Sequence, residues 1–313
     1  FLLGCKKVTF RDVTIRDGAL WTVRLSGCDD VLIHGIRIEN DLKLPNNDGI
    51  DLDRCRNVRI SDCHIVSGDD CIVLKTCEET AAYGEGCENI IVTGCTLVST
   101  SIALCVGCEC RAPMRHIIFD GCVIRSSHRG LAVRLSEASD IEDVLFSNML
   151  VETRYFHRDW WGAGEPISVS AIPWDDERGI GRVRGVRFVN IFCRSENGVY
   201  VEGWTPDRMQ DILFENVQVE LDKWSKWEGG LYDRRPCPGD WAQVGLVRRP
   251  TAGFLLNKAQ NVTLRNCWVN WGTNRPAYFR HALESHAVAN LRLENFQGES
   301  ADPERFPATV IED

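Results

Sequence analysis

A chain of 313 residues, 44% hydrophobic and 26% charged, has the composition of a folded globular protein and not of a disordered one. Its formal net charge of −9 opposes the phosphates of nucleic acid, so no nucleic-acid partner is expected; a local basic patch could still hold an acidic sugar. No apolar run approaches the ~18 residues of a transmembrane helix, so no membrane partner is expected either. The chain opens at Phe1 already inside a repeat, which suggests a missing upstream segment. Fifteen cysteines, an odd number, cannot all pair within one chain.

One phrase recurs ten times along the sequence, of the form apolar-x-apolar-x-x-apolar-x-apolar. Copies begin at Val8, Val31, Val58, Ile90, Ile117, Val144, Val186, Ile212, Val262 and Leu291. Most start 23–29 residues apart, and the wider spacings of 32, 42 and 50 residues are read as outward loops. Each copy alternates for three residues and then slips by one, which describes a short strand, a bend and a second short strand. No 3.6-residue period runs between copies. A coil of this size cannot bury its apolar side alone, but stacked coils can. The expectation is all-β: one right-handed parallel β-helix domain over 1–313, of about ten coils, with loop insertions at about 153–183 and 221–258.

The repeat also houses the cysteines. Cys5, Cys28, Cys55 and Cys87 each stand three residues before a copy and are expected to form one buried column. Cys63, Cys95, Cys122 and Cys267 share the sixth place of the repeat. Asn148, Asn190, Asn216, Asn266 and Asn295 share the fifth, where their amides can bond along the axis.

Two polar stretches fall at the same phase of adjacent coils, NNDGIDLDRC and SGDDCIVLKTC. Matching Ile50 with Ile72 and Leu52 with Leu74 sets Asp48 and Asp70 on neighbouring strands, about 4.8 Å apart, with Asp69 beside them. Three carboxylates so close cannot all ionise comfortably, and at least one pKa should rise. That arrangement suits glycoside hydrolysis, in which one carboxyl protonates the leaving oxygen and another acts on water or the sugar. Asp51 and Asp53 flank the inward Leu52 and are expected to face solvent. Lys75 is outward-facing and is read either as a sugar contact or as charge balance.

The stretch from Asn46 to Lys75 resembles glycoside hydrolase family 28, the polygalacturonase family, in its Asn-x-Asp and Gly-Asp-Asp motifs. The resemblance implies a parallel β-helix, Asp69 as general acid, Asp48 and Asp70 acting on water, inversion at the sugar carbon, no cofactor and no metal. Two further family motifs are altered. Where the family has Gly-His-Gly, this chain reads STSIALCVG, with Thr100 or Ile102 at the histidine's place. Where it has Arg-Ile-Lys, this chain reads RGLAVRLSE, with Arg134 the natural survivor and Arg129 a second candidate. The hydrolytic core is therefore expected to carry over better than specificity for galacturonate.

His128 is read as a possible replacement for the missing histidine, or as a solvated side chain beside Arg129. Trp160 and Trp161, set between glycines, are candidates for stacking on sugar or for plugging the solenoid's flank. Glu165 is either a hydroxyl acceptor or a loop anchor. The second insertion mixes Trp224, Trp227, Tyr232 and Trp241 with Arg234-Arg235 and Arg248-Arg249. Cys105, Cys108 and Cys110 lack a second half-site for zinc. The expected partner is a carbohydrate, bound by a monomer. The family implies export, while the many free thiols fit a reducing compartment. Two other readings stand beside hydrolysis: a Ca²⁺-dependent polysaccharide lyase using Asp48, Asp51, Asp53, Asp69 and Asp70, and a non-catalytic carbohydrate-binding solenoid.

Overall fold

The computed structural model describes residues 1–312 and shows a parallel β-helix. Most repeat phrases supply two strands separated by a bend, those at Val144, Val186 and Ile212 one strand that continues through it, and the segment before each supplies another, so the coils stack as three parallel ladders. Val8, Val31, Val58, Ile90, Ile117, Val144, Val186, Ile212 and Val262 pair in succession. The proposed register holds throughout.

The bend at the fifth place explains its composition. In all ten copies that residue is Asp, Gly or Asn, and φ lies between 49° and 64°. Residues with a branched or bulky side chain avoid this left-handed region, whereas Gly, Asn and Asp tolerate it. The exposed asparagines then bond along the axis, with Asn190 Nδ2 donating to Asn148 Oδ1 at 3.1 Å and Asn216 Nδ2 to Asn190 Oδ1 at 3.0 Å.

Inside, like residues stack on like. Phe119, Phe146, Phe188 and Phe214 form a column with ring centroids 4.7–5.1 Å apart. Cys28, Cys55 and Cys87 are buried in one column and Cys5 is half-buried at its open end; all fifteen cysteines are free. Burying such apolar rows drives the stacking, at about 25 cal/mol per Å² removed from water.

The third ladder carries the site. Its strands are Val23–Ser26, Ile50–Asp53, Ile72–Thr76, Ile102–Cys110, Arg129–Leu135, Ile167–Ala171, Val199–Gly203 and Phe254–Arg265. The two expected insertions are thus not single loops. Ile167–Ala171 is a regular ladder strand inside the first, and the second contains a two-stranded antiparallel hairpin, Leu231–Asp233 with Leu246–Arg248.

Candidate active site

Two tight turns bring the carboxylates together. Ile50 pairs with Ile72 and Leu52 with Leu74, so the turns before these strands lie on adjacent coils. Asn47, fully buried, joins them: its Oδ1 accepts from Gly68 N at 2.7 Å, and its carbonyl accepts from Ser67 Oγ at 2.8 Å. Gly49 is required by close approach, since a Cβ there would run into Cys71 O and the Ile65 methyl. One oxygen each of Asp48, Asp69 and Asp70 consequently lies within 4.8 Å of the others.

The three are differently held. Asp69 accepts from Asn46 N at 2.9 Å on Oδ2 and from Asp70 N at 3.1 Å on Oδ1. Asp70 Oδ1 accepts from Ser101 Oγ at 2.8 Å and Ile102 N at 3.0 Å. Asp48 Oδ1 is buried with no donor. All three are nearly enclosed, at 3%, 6% and 8% exposure for Asp48, Asp69 and Asp70, so loss of solvation dominates their titration. Burial, and then the charge of Asp70, raises Asp69 to about 6. Burial followed by Asp51 pushes Asp48 well above the carboxylate range, and burial raises Asp70 against the opposing charge of Lys75. Their chemistry fits either proton transfer or a hard cation held by three oxygens.

Several sequence expectations are corrected around this cluster. Asp51 and Asp53 do not face solvent; both are fully buried. Asp53 accepts from Ser26 Oγ, Arg24, Cys77 N and Thr80 Oγ1, all at 3.0 Å, which ties it to the framework. Lys75 turns out to balance charge. Its Nζ lies 3.1 Å from Glu109 Oε2 and 4.5 Å from the centre of the Trp21 ring. Burial works against its charge, but Glu109, Asp48 and Asp51 hold Lys75 well above the ordinary lysine value.

His128 is neither solvated nor open to substrate. It is fully buried against Tyr155 and Phe156, with Nδ1 3.3 Å from Thr100 O, and burial lowers it to about 4, which keeps it neutral. Arg129 is likewise buried. It forks onto Glu165 at 3.2 and 3.0 Å and reaches the Asp233 carbonyl at 3.2 Å, all three residues nearly or fully buried. Glu165 is therefore the loop anchor, not a hydroxyl acceptor. Both errors share a cause: the partners come from loops that cross above the strand, and alternation along a strand cannot see them.

Arg134 does lie at the site. It is 5% exposed, its charge helps lower Asp70, and among the described residues no carboxylate is within ion-pair distance of it. Trp161 is half-buried beside it, with the Arg134 guanidinium 5.9 Å and that of Arg235 4.9 Å from the ring centre. Trp161 also meets Trp241 edge-on at 5.9 Å, so it combines a wall beside Arg134 with packing between the insertions. Trp160 borders an apolar cavity of about 470 Å³ with Leu42, Leu44, Pro45 and Phe156, which Gly68 and Thr100 also line, so it adjoins the carboxylate turns. Leu104 pairs with Ile72, so Ile102 stands beside Asp70, while the Thr100 hydroxyl donates to Gly68 O at 2.7 Å. A larger groove, about 810 Å³, lies on another ladder beside Ile91, Ile118 and Leu145, away from the carboxylates.

Residues 2–154, which hold the carboxylates, match the model of glycosyl hydrolases family 28. The match covers just under half of this chain and marks it as similar to glycoside hydrolase family 28. A probable polygalacturonase of Vitis vinifera is 25% identical over 226 residues, which cover 70% of this chain and 45% of that protein. A polygalacturonase of Juniperus ashei is 24% identical over 227 residues, 69% of this chain and 42% of that protein. The chain thus spans less than half the length of these relatives. Among solved structures, a hyperthermoactive exopolygalacturonase from Thermotoga maritima is 21% identical with a TM-score of 0.66, covering 85% of this chain and 53% of that one. A family 28 exopolygalacturonase of Yersinia enterocolitica is 12% identical with a TM-score of 0.53, covering 93% and 46%. These likenesses bear on fold and agree with the parallel β-helix.

Proposed function

We propose that this protein hydrolyses O-glycosidic bonds of a pectic or related plant-type saccharide, with Asp69 as general acid and Asp48 and Asp70 acting on the attacking water. The observation that carries the reading is the cluster itself: three carboxyls within 4.8 Å, nearly enclosed, on turns that match family 28. Enclosing three acids costs stability, and a purely structural turn has no need of it. Asp69, raised to about 6, holds a proton in mildly acidic solution and can release it to a leaving oxygen. Ionised Asp70, its charge favoured by Lys75, Ser101 and Ile102 N, then deprotonates water that Asp48 helps to hold.

The family implies inversion, although typical inverting carboxyl pairs stand about 6.5–9.5 Å apart and retaining ones about 5–5.5 Å. Inversion is favoured here because two acids, Asp48 and Asp70, share the water side. Specificity is proposed to differ from that of polygalacturonases. Ile102 cannot exchange a proton, and Arg134 stands alone where the family pairs two cations, so activity on unsubstituted polygalacturonate should be weak.

A panel of pectic and neutral plant oligosaccharides, with the first-formed anomer followed by NMR, tests the reading. Hydrolysis with inverted product is expected, on a falling pH limb near 6 as Asp69 loses its proton. A new double bond in the product would instead mean a lyase, and binding without turnover across the panel a non-catalytic solenoid.

A further inference from the structure

The groups assigned to the reaction are spread along the axis of the solenoid. Asp48 precedes one strand, Asp70 the next, and Arg134 lies two strands further on, opposite Gly107. A sugar chain engaging all three must cross the strands, running from coil to coil. Its path continues over the outward side chains of the following strands: Ser168 and Ser170, then Tyr200 and Glu202, then Leu255 and Asn257.

That path is closed. Tyr200 and Leu255 are 2% and 1% exposed, and Glu202 and Asn257 are 7% and 9%. Their cover is the second insertion. Tyr232 packs on Tyr200 with ring centres 4.9 Å apart, and its hydroxyl oxygen accepts from Ala252 N at 3.2 Å. Arg234 reaches Glu202 Oε1 at 2.9 Å. The hairpin is also fastened from the other side. Asp233 accepts from Gly162 N at 2.7 Å and from Arg235 Nε at 2.8 Å, and it sits beside the Arg129–Glu165 pair with all three side chains inaccessible to solvent. A knot of buried, mutually paired charges does not swing aside as a lid does.

We infer that the enzyme attacks chain ends, because the hairpin Leu231–Arg248 walls off the substrate path just beyond Arg134 and leaves a dead-ended site for a terminal mono- or disaccharide. Internal cleavage needs a groove open in both directions, so that a polymer can enter from its side. Here the ladder is capped about four strand spacings, ~19 Å, from the strand of Asp70. The inference rests on the hydrolase reading and adds to it the class of substrate, a free chain terminus.

The test uses the full chain on a long pectic polymer that the panel identifies as substrate, beside the same polymer capped at both termini. Viscosity, reducing ends and product sizes are followed together. Expected are reducing ends that accumulate while viscosity stays high, one mono- or disaccharide product from the first time point onward, and no cleavage of the capped polymer. A ladder of intermediate fragments with early loss of viscosity, on either polymer, overturns the inference and leaves hydrolysis standing. Absence of turnover on every glycan removes the hydrolase reading and this inference with it.

Discussion

Asp51 is fully buried, and neither of its oxygens meets a donor among the described residues. Burial, together with Asp70 and Glu109 and against the charge of Lys75, pushes it up to about 8. An acid raised in this way takes up a proton on folding. Below about pH 4 it is protonated in both states and costs nothing; its cost grows as pH rises toward 8. Asp51→Asn should therefore match the parent in stability near pH 4 and exceed it by about 1–3 kcal/mol at pH 8. Urea unfolding at the two pH values measures this, and a variant less stable than the parent at pH 8 would refute the account of this carboxylate. Asp48, Asp69 and Asp70 were legible in the sequence because stacked turns of like register bring carboxyls together wherever the coils align. The burial of Asp51 was not, because alternation along Ile50–Asp53 tells that it points outward but not that charged side chains from other coils, Lys75 and Glu109 among them, gather at that face.

At the scale of elements, the two insertions matter more for what they bind than for where they begin. Arg129 and Arg134 stand five residues apart on one strand, and their sequence surroundings do not tell them apart. What separates them is Glu165, 36 residues on, and Asp233, 104 residues on, both of which reach Arg129 across loops. Arg129→Met leaves two buried carboxylates short of their partner, and at neutral pH it should cost roughly 3–5 kcal/mol. Arg134→Met removes a cation that forms no direct ion pair among the described residues and should cost clearly less than Arg129→Met. It should weaken binding of acidic sugars instead. Denaturant melts of both variants, with binding of a uronic-acid oligosaccharide, separate the roles. Equal stability losses would mean that Arg134 is as structural as Arg129. The loops themselves were visible as widened spacings, whereas their ionic knot was not, since loop-to-loop pairing follows no period.

The whole molecule was the most legible level. A ten-fold phrase with Asp, Gly or Asn at every bend dictates left-handed corners, stacked apolar rows and parallel ladders, and the structure follows that register from Val8 to Leu264. The same stacking makes the site, because turns about one coil apart in sequence become neighbours in space. Whether those stacked carboxyls act on a glycosidic bond is decided most directly by Asp69→Asn, assayed on an unactivated oligosaccharide and on one with a good leaving group. Asparagine keeps the shape and removes the acidity. Turnover of the unactivated substrate should fall by roughly 10²–10⁴, with affinity little changed, since the lost interaction belongs to the transition state. The activated substrate, which hardly needs protonation, should be partly spared. Because Asp69 is raised by burial and by Asp70, the variant should fold at least as stably at neutral pH. Full activity of folded Asp69→Asn on the unactivated substrate would contradict the assignment.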